Sequence, residues 1–160
     1  MKTKNILFLF ICSLLLLGCS DDECCANPNM YTLYLEMTDY QGQIVSGYIK
    51  EWELERDLEL IGFDDPTFTP KVLYKNIVSQ DESLISIELL SFDIAVTETV
   101  FKIKNKSIFG DEDSHFLKVF WKKESSIWFT AEKVILDNKE LYKKKIDKRT
   151  YYFSMKQQVY

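Results

Sequence analysis

Phe116-Leu-Lys-Val-Phe-Trp-Lys122, followed after Glu124-Ser-Ser126 by Ile127-Trp-Phe-Thr-Ala-Glu-Lys133, decides the fold class of this chain. Leu117, Val119 and Trp121 fall on one side of an extended segment and Phe116, Lys118, Phe120 and Lys122 on the other, which is the two-residue period of a strand. The second segment divides likewise into Ile127, Phe129, Ala131 and Lys133 against Trp128, Thr130 and Glu132. With Glu124-Ser-Ser126 as a three-residue loop, Trp121 falls opposite Phe129 and Val119 opposite Ala131, joining the two apolar sets in one core face. The same register sets Lys118 across from Glu132 and Lys122 across from Trp128 on the outer face. A two-residue loop would slip the pairing by one and bury Trp128 beside Trp121. In the first register Phe116, Lys118, Phe120 and Trp128 stand among charges, where aromatic rings stack on sugars or anchor a protein partner. These are the candidate binding residues.

Working outward, Tyr31-Thr-Leu-Tyr-Leu-Glu-Met-Thr38 alternates in the same way, with Tyr31, Leu33, Leu35 and Met37 on one face. A turn follows at 39–43, where Gly42 supplies the positive φ. Ile44 to Lys50 is expected to return as an edge strand, 51–56 fits a helical turn or a strand equally, and 57–61 alternates as a strand. Pro66 and Pro70 make 64–70 a loop. Lys71 to Val78, Ser83 to Ser91 and Thr97 to Lys104 read as strands, 109–115 as an acidic loop, and Asp137-Asn138-Lys139 as a hairpin turn. Residues 143–149 read as a basic loop before a closing strand, Tyr151 to Met155. Short strands separated by polar turns predict an all-β fold. The expected form is an antiparallel β-sandwich of about seven to nine strands, immunoglobulin-like or transthyretin-like.

The N-terminus carries an address. Lys2 and Lys4 precede an apolar run from Ile6 to Leu17, and Leu16-Leu17-Gly18-Cys19 then closes it in the form of a lipobox. That run is about 12 residues long, against the roughly 20 that a spanning helix requires, and no Ala-x-Ala-like site ends it. Residues 1–18 are therefore expected to be a lipoprotein signal peptide, 19–30 a lipid-attached acidic tether and 31–160 a single β-sandwich domain. Cys19 is the expected lipidation site, and several acyl chains on it anchor the protein stably in a bilayer. Ser20, Asp21, Asp22 and Glu23 follow directly; the run reads most simply as a solvated leader that keeps the domain off an anionic membrane, and it also resembles the export signal of Bacteroidota lipoproteins, which implies an outward address.

The chain has 20 Lys and Arg against 25 Asp and Glu; without Lys2 and Lys4 the balance is 18 against 25, a net charge of −7. That sign disfavours nucleic acid as a partner. Of the cysteines, Cys12 leaves with the signal and Cys19 is acylated, so the adjacent Cys24 and Cys25 remain. They form a strained vicinal disulfide, bridge to another chain, or stay reduced.

Cys19 with its acidic run, Cys24-Cys25, Asn27-Pro28, the strand ending in Asp39 with Gly42 three residues on, the strand around Asp57 to Leu60, Val134 to Lys139 and the closing Tyr152-Phe153-Ser154 together resemble small Bacteroidota-type surface lipoproteins of unassigned function. The resemblance spans most of the mature chain and implies a compact β-sandwich on the outer membrane, facing the cell exterior. It brings no activity that transfers residue by residue.

Chemistry was sought in the remaining polar residues. His115 is the single histidine, so neither a hydrolytic triad nor a histidine zinc site can be assembled, and solvation explains its neighbours Asp111, Glu112, Asp113 and Ser114. Asp111 and Asp113 have the alternate spacing of a calcium loop, with Asp64 and Asp65 as partners from another loop, but the glycine and distal glutamate of an EF-hand are missing. Lys143, Lys144, Lys145, Lys148 and Arg149 read as a solvated loop. No catalytic residue, metal or cofactor is assigned. The expected function is a non-enzymatic binding or spacer module for a protein or glycan partner; the alternative is an unrecognised or degenerate hydrolase of surface polysaccharide.

Overall fold

The computed structural model describes residues 27–45, 48–62, 70–76, 83–91, 95–148 and 150–155. The signal segment, Cys19, the acidic residues 20–23, Cys24, Cys25 and the proline loop at 64–69 lie outside them. Of the described residues 56% are strand and 11% helix, so the chain is mostly β. No helix among them is long and apolar enough to cross a membrane.

The strands are β1 (Asn29–Glu36), β2 (Leu58–Ile61), β3 (Lys71–Asn76), β4 (Ser83–Ser91), β5 (Glu98–Ile103), β6 (His115–Lys123), β7 (Trp128–Leu136), β8 (Lys139–Glu140), β9 (Tyr142–Lys145) and β10 (Tyr151–Ser154). Helix α1 (Glu51–Asp57) precedes β2 and helix α2 (Lys106–Phe109) precedes β6. All ten strands join one sheet, in the order β2-β5-β6-β7-β1-β10-β9, with β4 on β1, β3 on β4 and β8 on β7. β1 is the hub. β4 runs antiparallel along it from Asn29 to Leu35, whereas β7 pairs in parallel with Met30 to Thr32 and β10 in parallel with Leu35 and Glu36. These central parallel pairs make the sheet mixed, where an antiparallel sandwich was expected.

Burial explains the hub. Tyr31, Leu33 and Leu35 are fully buried, and Tyr31 stacks on Phe129 at 4.6 Å between ring centroids and meets Trp121 edge-on at 5.3 Å. Removing three such side chains from water stabilises the fold by roughly 1.5–3 kcal/mol each. The polar ends of these rings are matched: the Tyr31 hydroxyl accepts from the Val96 N–H at 2.7 Å, and Trp121 Nε1–H donates to Thr99 at 2.9 Å. Glu36, at the end of β1, is fully buried where its Oε2 accepts from the Ser154 hydroxyl and lies 3.4 Å from Lys144 Nζ, tying β1 to β10 and β9.

Among the described residues of the edge strand expected at 44–50, the pairing is one bridge, Thr38 to Ile44. Val45 and Ile49, four residues apart and both buried, instead share one face of a turn in which the Ile49 N–H donates to the Val45 carbonyl. Residues 51–57 resolve to helix, since Leu54 and Leu58 are buried at the same spacing and Glu53 Oε2 accepts the Lys50 N–H at 2.9 Å. Of the basic stretch expected as a loop at 143–149, Lys143 to Lys145 instead belong to β9, an edge strand antiparallel to β10.

The β6–β7 hairpin keeps its expected faces and changes its expected register. Trp121 faces Ala131 rather than Phe129, Lys122 faces Thr130 rather than Trp128, Val119 faces Val134 rather than Ala131, and Lys118 faces Ile135 rather than Glu132. Two causes act. The loop is centred one residue later, with the Glu124 and Ser125 N–H groups both donating to the Trp128 carbonyl, which moves each partner by two and so preserves the faces. Glu132 is then the extra residue of a β-bulge opposite the Phe120/Trp121 step. Strict alternation would carry Lys133 into the core; the bulge turns it outward and seats Val134 there, fully buried.

Candidate functional site

Three strands build the outer-face site. β5, β6 and β7 lie side by side, and their register aligns Val100, Lys118 and Ile135 in one row, with Phe116 and Phe120 two residues to either side of Lys118 along β6. Together with Asp137 and Asn138 they surround a solvent-open groove of about 560 Å³. Phe116 is 47% exposed, although burial would favour covering so large a ring. Lys118 bridges to Glu98 at 2.6 Å while its Nζ lies 5.1 Å from the Phe120 ring centre, and Lys133 approaches the same ring at 6.0 Å. Phe120 therefore stands between two cations, both ion-paired, since Lys133 lies 2.9 Å from Glu140.

Trp128 stands apart. It opens β7 beside Met30 of β1, is 46% exposed, and is not among the residues around the groove. The one patch expected from Phe116, Lys118, Phe120 and Trp128 is thus a groove formed by the first three and a separate exposed ring.

One end of the groove is closed by the turn between β7 and β8, where Asp137 and Asn138 both have positive φ, 47° and 69°. Asx residues tolerate this left-handed region, which a two-residue hairpin requires. Asp137 does more than turn the chain. Its Oδ1 accepts the Phe116 N–H at 2.8 Å and its Oδ2 lies 2.5 Å from His115 Nδ1. The other ring nitrogen, Nε2, is 3.0 Å from Asp111 Oδ1, and the ring stacks on Phe109 at 3.6 Å.

His115 is consequently held between two carboxylates and an aromatic face, with its side chain 17% exposed. Burial lowers the affinity of the ring for a proton, but the hydrogen bonds and charges of Asp111 and Asp137 outweigh it and raise the pKa. The His115 bond, followed by the Asp113 N–H, holds the Asp111 carboxyl below its ordinary value. An imidazolium with both N–H groups donating fits this geometry. Such a group ties α2 to the β7–β8 turn; with both nitrogens engaged, it offers no lone pair for general-base work.

The sequence reading left His115 in a solvated acidic loop, and that placement is corrected here. His115 is the first residue of β6, and one of its acids comes from the other end of the hairpin. The signal for Asp111 was its position four residues earlier; Asp137 becomes visible only once the hairpin register is known. Among the described residues no three His, Cys, Asp or Glu side chains gather as metal ligands. Asp64 and Asp65, the other half of the weighed calcium loop, lie outside the described residues.

Lys143 and Lys144 of β9 are likewise engaged. Lys143 Nζ donates to the Glu132 carbonyl at 3.0 Å and lies 4.5 Å from the Tyr151 ring centre. No protein-family model matches this chain, and neither a curated protein nor a solved structure matches it.

Proposed function

We propose that the protein is a lipid-anchored lipoprotein of the outer membrane, facing the cell exterior, and that it acts as a non-enzymatic binding module for a protein or glycan partner. The anchor is Cys19, acylated after cleavage behind Gly18; Ser20, Asp21, Asp22 and Glu23 form the export signal. The tether between the lipid and β1 spaces the module from the bilayer. The binding face is the groove on β5, β6 and β7.

A single observation carries this reading: Phe116, Lys118 and Phe120, far from being absorbed into the core, surround one open groove on the outer face of the sheet. Rings held on rigid strands lose little entropy on binding, and a neighbouring ion-paired lysine supplies polar contact at the rim.

Two measurements test it. A fatty-acid probe fed to cells should label the wild type and miss Cys19→Ala, and externally added protease should digest the wild type on intact cells. Equal labelling of both would refute the anchor, and protection from protease would refute the outward address. For the groove, Phe116→Ala and Phe120→Ala should each weaken binding to a partner cross-linked from the cell surface; unchanged capture by both would remove the groove from the proposal.

A further inference from the structure

A second site lies in the loop after β1, and it stands independently of the groove. Asp39, Tyr40, Gln41, Gln43 and Tyr48 face α2 across a pocket of about 420 Å³, within the roughly 300–1,000 Å³ of small-molecule sites. We propose that this pocket binds a neutral saccharide, with Tyr40 and Tyr48 as stacking platforms and the amides of Gln41 and Gln43 as hydroxyl partners.

The first observation is that residues 39–43 are tied to one another and to Tyr48 by hydrogen bonds. The Asp39 carboxylate accepts the Gln41 N–H at 2.9 Å and the Gln43 N–H at 2.7 Å through Oδ1, and the Tyr48 hydroxyl at 2.7 Å through Oδ2. These bonds hold the Asp39 carboxyl below its ordinary value, the Tyr48 bond foremost. On the opposite wall the Tyr40 ring lies so close to Gly110 that a Cβ there would come within 3.1 Å of its Cγ. Both rings are thereby positioned, yet Tyr40 is 64% and Tyr48 47% exposed. Fixing exposed aromatics costs entropy that folding does not recover, whereas a ligand stacking on pre-positioned rings benefits from it.

Charge and backbone chemistry select the ligand class. Asp39 is satisfied by its three donors, and Lys106, the cation on the pocket wall, lies 3.1 Å from Glu112. An anionic or cationic ligand would compete with these partners; a neutral one leaves them in place. A peptide added as a strand would need backbone donors, but those of Asp39, Gln41, Gly42 and Gln43 are all used inside the loop. The exposed Tyr40 and Tyr48 rings, the Gln41 amide, whose Nε2 also donates to the Tyr40 hydroxyl at 3.3 Å, the Gln43 amide and the Ser107 hydroxyl together match the C–H face and the hydroxyls of a sugar ring.

The test is affinity electrophoresis of the full-length, detergent-solubilised protein through gels containing mannan, xylan or glucan, with polygalacturonate as the anionic comparison. At least one neutral polysaccharide should retard alike the wild type and Tyr142→Ala, which removes an exposed ring of β9 outside both sites. The variant Tyr40→Ala/Tyr48→Ala should bind at least about tenfold more weakly, the worth of one or two ring stacks. Because Tyr48 also clips the loop and the Gln41 amide donates to the Tyr40 hydroxyl at 3.3 Å, Gln43→Ala serves as the second, glutamine variant: it keeps both rings, that bond and every backbone donor, and it too should reduce retardation. The proposal is overturned if no neutral gel retards the protein, if only polygalacturonate does, if the glutamine variant migrates as wild type, or if Phe116→Ala loses retardation while Tyr40→Ala/Tyr48→Ala keeps it.

Discussion

At the loop end of the β6–β7 hairpin, Phe129 stacks on Tyr31 and Trp121 closes over the same ring; at the turn end, His115 sits between Asp111 and Asp137. The first end is held by apolar contact within the core, where Tyr31 is fully buried and burial raises its pKa further above neutrality. The second is held by charge on the rim of the sheet. One hairpin thus combines a fastening that pH leaves alone with one that depends on it, and the difference follows from where each end lies relative to the core.

The comparison breaks most severely at the ring shared by the loop end. Tyr31→Ala should cost about 3–5 kcal/mol in urea unfolding, as large aromatic truncations in cores do, and the loss should be the same at pH 6 and pH 8. A loss that varied with pH would mean that the two ends are coupled.

Next in size is the turn end. Asp137→Ala removes the acceptor of the Phe116 N–H, one carboxylate of the His115 clamp and a side chain suited to positive φ, and should cost about 2 kcal/mol. Asp137→Asn keeps the acceptor and the left-handed tolerance, so it should cost roughly half as much. Equal losses in the two variants would assign the whole effect to charge.

The pH dependence sharpens the contrast. The folded pKa of His115 is raised, so the clamp contributes its full stability below the unfolded value of about 6.5 and loses it as pH rises through the folded value. Asp111 acts in the other direction: its folded pKa is lowered, so its share is present above the unfolded carboxylate value of about 3.9 and is lost as pH falls through the folded one. The wild-type unfolding midpoint should therefore fall between pH 6 and pH 8 relative to that of His115→Phe, which keeps a ring to stack on Phe109 but cannot be protonated. Parallel profiles for the two proteins would show that the imidazolium is not the fastening.

The smallest effect belongs to the loop itself. Glu124 pairs with Lys122 at 3.1 Å, but both side chains are well exposed, so Glu124→Ala should change stability by no more than about 0.5 kcal/mol. A larger loss would place a charge fastening at the loop end too.

Legibility followed burial. β4 lies where its alternation placed it, and β1, β5 and β6 differ from their expected bounds by one or two residues, because a strand with one buried face must repeat every second residue. The stretch 44–50 failed because its two buried residues, Val45 and Ile49, are four apart, a spacing that a strand reading overlooks. Phe116, Lys118 and Phe120 were legible as an outer-face set, since all three occupy the same parity of one strand. Trp128 was misjoined to them because the loop centre was placed one residue early and no bulge was foreseen. Tyr40 was passed over because a turn read only for its glycine shows no reason for its side chains to converge, and Tyr48 because it fell in the expected edge strand at 44–50.

The sequence by itself determined that this chain is mostly β, which faces of its strands are buried, where Gly42 and the Asp137-Asn138 turn reverse the chain, and which large rings on β6 point outward. Local period and turn chemistry are enough for that. Only the tertiary structure decided that the strands join in one mixed sheet around β1, that Glu132 bulges so that Val134 replaces Lys133 in the core, that His115 bridges two acids twenty-six residues apart in sequence, and that two tyrosines converge on a pocket against Gly110. Each of these depends on a register or a long-range contact, and alternation carries no information about either: shifting a strand by two residues preserves its buried face while changing every neighbour it meets.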